Sequence, residues 1–220
     1  MREARQLGQY GIVVSQPVLE YSRLLERVHA VTNDVGTHSL RREYLESLGV
    51  TIYEKAGTAK FVDPYTIEAE GGLRLQADKF ILCGGGKSRR LPVPGFELTS
   101  THSDTWGLKE VPQSMLVIGC GATGVQVASI FNAFGSHVPI FQAGPRILGT
   151  EDEDVSSAVA IAFRESGMVV REEFGSIESF EKTPSGVRMN FLKDGISDLN
   201  ALPRFCHASP SAYPFYTAYS

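Results

Sequence analysis

Met115-Leu116-Val117-Ile118-Gly119-Cys120-Gly121-Ala122-Thr123-Gly124-Val125-Gln126-Val127-Ala128 is the stretch that decides how this 220-residue chain folds. Its first four residues are uniformly apolar, the pattern of a strand buried on both faces, and the run after the glycines has the apolar spacing of a helix. Between them Gly119, Gly121 and Gly124 satisfy G-x-G-x-x-G in the strand–turn–helix context that gives the pattern physical meaning. Gly119 permits the tight turn, Gly121 lets backbone amides approach a pyrophosphate, and Gly124 lets the helix pack close to the strand. Unpaired N–H groups at the helix start, with the positive end of its dipole, then hold phosphate oxygens. A glycine-rich turn that binds nothing would show the same residues, and the flanking pattern favours the binding reading.

Downstream, the chain reads as helix 122–134, strand 137–141, helix 154–166 and strand 168–171. This β-α-β-α-β order is half of a doubly wound α/β sheet. A carboxylate that would take the ribose hydroxyls of NAD belongs about 20 residues after the first glycine, and Gln142 stands there. Gln142 hydrogen-bonds a ribose without repelling a 2′-phosphate, and nearby Arg146 can pair with one, so the reading leans toward NADP(H). Arg146 as a solvated loop cation is the open alternative. Residues 177–182 and 187–192 flank Pro184-Ser185-Gly186 and read as a hairpin.

Upstream, residues 18–48 read as helix, interrupted near Val35-Gly36-Thr37. Segments 50–53, 59–62, 66–69 and 73–76 read as short strands of a small antiparallel β meander, and 79–83 as a buried strand running into Gly84-Gly85-Gly86. Pro92, Pro94 and Gly95 make the next segment an extended connector. Residues 199–220 mix Pro203, Pro210 and Pro214 with aromatic residues in no period, which reads as a poorly ordered tail or as sequence foreign to the fold.

Composition narrows the function classes. With 42% hydrophobic and 21% charged residues the chain is a folded protein, and a formal net charge of −4 supplies no grip on nucleic acid or anionic lipid. Residues 111–145 lack Asp, Glu, Lys and Arg, yet the spaced glycines, Gln126, Asn132 and Pro139 argue for strand, turn and helix rather than a membrane span. Cys83, Cys120 and Cys206 form neither a disulfide framework nor a zinc set, and no leader sequence opens the chain, so a reducing cytoplasmic setting is expected.

Leu116-Val117-Ile118-Gly119-Cys120-Gly121-Ala122-Thr123-Gly124-Val125-Gln126 resembles the NAD(P) motif of the pyridine nucleotide-disulfide oxidoreductases, and Phe80-Ile81-Leu82-Cys83-Gly84-Gly85-Gly86 with Pro92-Val93-Pro94-Gly95 resembles their second signature. Gly57-Thr58-Ala59-Lys60-Phe61 is similar to the segment that meets the FAD adenine, and Pro145-Arg146-Ile147-Leu148 to the loop after the second nucleotide-domain strand. The resemblance covers residues 8–194. It implies a partial FAD-binding domain over 1–95 and an incomplete Rossmann-type NAD(P)-binding domain over 96–195, and it leaves an aperiodic tail over 196–220. It also implies a protein that passes hydride from NAD(P)H to FAD and on to an acceptor the sequence does not identify. The implied cofactor contacts are Gly119, Cys120, Gly121, Ala122, Thr123, Gly124, Gln126, Gln142 and Arg146 for NAD(P), and Ala59, Cys83, Gly84 and Gly85 for FAD.

Departures from the family pattern are informative. Cys83-Gly84-Gly85 stands for Ala-Thr-Gly, Gln126 for Glu, and Gln142 for the acid of NAD users. No second G-x-G-x-x-G, no Cys-x4-Cys redox pair and no dimerisation domain with its His-Glu acid–base pair is found, so the chain reads as an internal piece of a longer protein that is a homodimer when complete. A nucleotide-binding module without catalysis and a flavin-free dehydrogenase are the competing readings; the latter needs a proton-transfer group, for which His102 is the loop candidate. Cys120 between two glycines at a helix start is placed where a thiol pKa falls, but it lacks a resolving partner, and a structural role is expected.

Overall fold

The structure is a computed structural model, and it describes residues 2–15, 17–39, 42–86, 90–184, 186–193, 196–197 and 212–216. The chain forms two compact units: one of residues 26–87, the other of residues 1–25 with 88–220.

Helix α1 (Arg2–Gln6) opens the chain, followed by α2 (Tyr21–Ser39) and α3 (Arg42–Ser47). The expected break at Val35-Gly36-Thr37 does not occur, because α2 runs through it. One glycine in a helix interior costs about 1 kcal/mol against alanine, less than abandoning the hydrogen-bond ladder around it. Val31, Val35, Tyr44, Leu45 and Leu48 on these helices are exposed.

In the 26–87 unit, β1 (Ala59–Asp63), β2 (Thr66–Ala69) and β3 (Arg74–Gln76) form the expected antiparallel meander in the order β1-β2-β3. Asp63 Oδ1 accepts the Tyr65 N–H at 2.8 Å and shapes the first turn. Two strand expectations fail here: 50–53 and 79–83 are not strands, and Ile81 and Leu82 are 90% and 78% exposed rather than buried. Apolar runs become strands only where a neighbour takes their N–H and C=O groups, and no described strand pairs with these two.

The larger unit is built on β4 (Ser114–Ile118), α4 (Ala122–Phe134), β5 (Ile140–Phe141), α5 (Glu153–Glu165) and β6 (Val170–Arg171). The strands are parallel, with Val117 opposite Ile140 and Ile140 opposite Val170. Strand β5 is shorter than the expected 137–141 because Pro139 has no N–H for the ladder, although His137 N–H still reaches the Gln113 carbonyl at 2.9 Å. Acidic Glu153 and Asp154 in the first turn of α5 and Arg164 in its last suit the helix dipole.

Strands β7 (Ser176–Thr183) and β8 (Gly186–Lys193) form the expected hairpin, extended by β9 (Ile196–Ser197). Strand β10 (Ala212–Tyr216) corrects the expectation for the tail: it pairs in parallel with β4, Ala212 opposite Ser114 and Tyr216 opposite Ile118, giving the sheet order β10-β4-β5-β6. A central strand has hydrogen-bonding groups on two edges, and a Tyr/Phe-rich segment with its proline on a sheet edge is suited to fill one of them. The remainder of 199–220 lies outside the described residues.

Alternation along the strands sends side chains to two cores. Met115, Val117 and Ile140 pack with Val127, Phe131, Ala160 and Phe163 under the helices, whereas Ile118 and Phe141 pack with Phe174, Phe180, Met189 and Phe191 under the hairpin. Phe141, Phe174 and Phe191 meet edge to face with centroids 5.4–5.7 Å apart. The Pro94-Gly95 connector docks on this hairpin: Phe180 N–H donates to the Pro94 carbonyl at 2.9 Å, and Gly95, at φ +77, leaves no room for a Cβ against the Phe180 carbonyl.

Candidate nucleotide-binding site

Gly119 closes β4 at φ +84, the left-handed region that glycine enters freely, and its N–H donates to the Phe141 carbonyl at 2.9 Å. Gly121 is the N-cap of α4, with no side-chain cap, and a Cβ built on it would stand in open space. The first amides of α4 therefore face an opening with no side chain over it, and Gly124 is buried on the packed face of the helix. This is the geometry that receives a diphosphate, so the turn fits the pyrophosphate of a dinucleotide. Ala122 is exposed, Thr123 half-buried and Gln126 exposed one turn further along.

The backbone of Cys120 is held on both sides. Its N–H donates to Gln142 Oε1 at 2.8 Å, and its carbonyl accepts the Leu148 N–H at 2.7 Å. The thiol is 1% exposed, lies 3.5 Å from the Phe141 carbonyl, and is pushed up to about 12 by burial, with the Glu172 carboxylate adding to the shift. The lowered pKa that a helix start suggests is thus corrected: desolvation by burial is the largest cause and raises it, and Cys120 is a core residue.

Gln142 follows β5 and reaches the turn as its position implies, but its carbonyl oxygen is occupied by the Cys120 N–H, so its NH2 group is what remains to meet a ligand. Arg146 Nη2 donates to the carbonyls of Gly149 at 3.2 Å and Glu151 at 3.0 Å, which ties the guanidinium to its own loop. A cavity of about 390 Å³ opens beside Gly119 and Gln142, walled by Leu91, Val93, Ile118, Phe174 and Ile177. Its position at the carboxyl ends of parallel strands is where doubly wound sheets bind ligands.

Glu172 is the residue that sequence reasoning missed. It follows β6 directly, accepts the Ile147 N–H at 2.9 Å through Oε1 and pairs with Arg164 at 2.9 Å through Oε2. The available signal was its place at the carboxyl end of the third parallel strand. His102 sits in a 3-10 turn over residues 102–107 that is closed by a capping box of Thr101 and Asp104.

The expected flavin contacts belong to the 26–87 unit. Ala59 lies on exposed β1, Cys83 is exposed, and Cβ atoms built on Gly84 and Gly85 would meet nothing. Among the described residues of that unit nothing encloses these positions, so they do not by themselves fit a flavin.

A parallel sheet with a glycine turn opening onto an uncapped helix is the α/β nucleotide-binding fold. The sequence profile of the pyridine nucleotide-disulphide oxidoreductases matches residues 4–197, and the chain belongs to that family. It is 26% identical over 181 residues to a glutathione reductase of Nostoc sp., covering 82% of this chain and 38% of that protein. Against dihydrolipoyl dehydrogenase 2 of Haloarcula marismortui it is 28% identical over 214 residues, covering 90% and 43%. The HOCl-induced flavoprotein disulfide reductase RclA from Escherichia coli shares the fold, with a TM-score of 0.66 at 21% identity over 91% of this chain and 43% of RclA. The chain thus spans less than half the length of these relatives. Family members are oxidoreductases whose cofactors are FAD and a pyridine nucleotide. Among the described residues no helix is long and apolar enough to cross a membrane, and no cluster of metal-ligating side chains is present.

Proposed function

We propose that this chain binds NAD(P)H at the Gly119–Gly124 turn as the nucleotide-binding part of an FAD- and NAD(P)H-dependent oxidoreductase. The uncapped start of α4 behind Gly121 carries the reading: amides converge on open space where a side chain would otherwise stand. Residues 96–195 form the nucleotide-binding domain in this reading, and residues 1–95 contribute to an FAD-binding domain. A pyridine nucleotide bound at the turn would supply hydride chemistry, and a flavin would need residues beyond Ala59, Cys83, Gly84 and Gly85 to hold it. The residues here bind and orient: the helix start takes the pyrophosphate, Gln142 meets the adenosine ribose with its NH2 group, and the cavity beside Gly119 takes apolar ligand surface. A reducing, cytoplasmic setting suits the free thiols of Cys83 and Cys120.

One observation favours a second reading, a nucleotide-binding module without disulfide chemistry. Cys120 is buried, and burial pushes its thiol up to about 12, so it does not resemble half of a redox pair. Calorimetric titration with NADPH and NADH tests what both readings share. Gly121→Asp is expected to weaken binding at least about 100-fold, since a carboxylate would face the pyrophosphate; unchanged affinity would remove the turn from the site. Flavin absorbance of the purified chain then separates the readings, a colourless protein that binds NADPH favouring the module.

A further inference from the structure

The glycine turn is held in place from a distance. Leu148, whose N–H grips the Cys120 carbonyl, is a buried residue at φ +50, a left-handed conformation that a leucine keeps only where its surroundings impose it. What imposes it is the preceding residue, Ile147, whose N–H and carbonyl are each anchored by a side chain. The Ile147 N–H donates to Glu172 Oε1 at 2.9 Å, and the Ile147 carbonyl accepts the Ser156 hydroxyl at 2.6 Å. Glu172 is fixed in turn by Arg164, which donates to Oε2 at 2.9 Å. A carboxylate suits this position because it accepts at both oxygens, one for a backbone amide and one for a guanidinium.

We propose that Glu172 is a positioning residue for the nucleotide site: through Ile147 and Leu148 it fixes the Cys120 carbonyl, and so sets the orientation of the amides that receive the pyrophosphate. This deepens the proposed function and rests on nucleotide binding at that turn. The chain of contacts leads from the end of β6, through the 145–148 loop, to the β4–α4 turn, three segments that sequence order keeps apart. Gln142 holds the N–H side of Cys120, in the neighbouring peptide, so losing the Glu172 contact loosens the carbonyl side only and leaves that second hold in place.

Two measurements on the full chain test this: amide hydrogen exchange at Ile147 and Leu148 without nucleotide, and the dissociation constants of NADPH and NADH. In Glu172→Ala both amides are expected to exchange at least about 10-fold faster, with Val117 and Phe131 unchanged, and affinity for both nucleotides to fall about 10-fold. Glu172→Gln keeps an oxygen for the Ile147 N–H and is expected to stay within about 3-fold of wild type in both measurements. Glu172→Asp, whose shorter side chain cannot span from Ile147 to Arg164, covers the case in which the alanine variant does not fold, and is expected to fall between the two. The inference is overturned if Leu148 stays protected in folded Glu172→Ala or Glu172→Asp, if the affinities do not move, or if Glu172→Gln loses as much as Glu172→Ala. Failure of the wild-type chain to bind either nucleotide would instead strike the proposed function, and exchange at Leu148 would still decide whether Glu172 holds the turn.

Discussion

Gly95→Ala should damage folding although it lies outside the glycine turn. Gly95 is at φ +77, where an L side chain costs about 1–2 kcal/mol. The new methyl would be driven into the Phe180 backbone carbonyl, and because backbone cannot swing aside as a side chain can, the relief resembles core overpacking at about 1–3 kcal/mol. Moving the connector away breaks the 2.9 Å hydrogen bond from Phe180 N–H to the Pro94 carbonyl, worth about 1 kcal/mol. The total, about 3–6 kcal/mol, is a large share of the 5–15 kcal/mol or so that holds a typical domain. Urea unfolding followed by circular dichroism reads it out, with the m-value checking that the transition keeps its character. Gly121→Ala is the control: at φ −71 with nothing within 4 Å of the added carbon, it should cost under about 1 kcal/mol in stability. A loss below about 1 kcal/mol for Gly95→Ala would refute the docking of the connector on the hairpin.

Four further outcomes are expected. Gln142→Glu keeps an oxygen for the Cys120 N–H but places a second one where the NH2 stood, so the ratio of NADP(H) to NAD(H) affinity should fall; an unmoved ratio in paired titrations would show that Gln142 does not face the ribose. In a Cys206→Ser background a thiol reagent at about pH 8 should label exposed Cys83 and spare Cys120, of which about one in 10⁴ is ionised at that pH, and equal labelling would contradict the burial of Cys120. The same raised pKa makes stability complete below about pH 9, the ordinary thiol value, and lost as pH climbs toward 12; a Cys120→Ala variant should show less of that alkaline decline. Removing residues 198–220 should lower the melting temperature, since it strips β10 from the edge of β4, and an unchanged melt would return the segment to the status of a detached tail.

What could be read in the sequence was what local chemistry dictates. The strand–turn–helix at 114–134, the hairpin around Pro184-Ser185-Gly186 and the 59–76 meander each carry their own punctuation, and each emerges within a residue or two of its expected bounds. Features that depend on a distant partner were not legible. Segments 50–53 and 79–83 have strand composition and no strand neighbour among the described residues, while 212–216 looked aperiodic and pairs with β4. Within the site, the glycines and Gln142 were identifiable from spacing. The left-handed Leu148 and the grip of Glu172 on Ile147 were hidden, because both arise where β6, α5 and the 145–148 loop converge. The thiol of Cys120 illustrates the same limit: its helix-start position argued for a lower pKa, and burial under the sheet decided otherwise.

The central claim, that a pyridine nucleotide sits at the start of α4, is tested most directly by mapping backbone amide resonances while NADPH is added to the chain. The account predicts shifts concentrated at Gly119, Cys120, Gly121, Ala122, Thr123 and Gly124, with further changes at Gln142 and Leu148, and little movement in the β1–β3 meander. Saturable shifts located elsewhere, or none with NADPH or NADH, would contradict it.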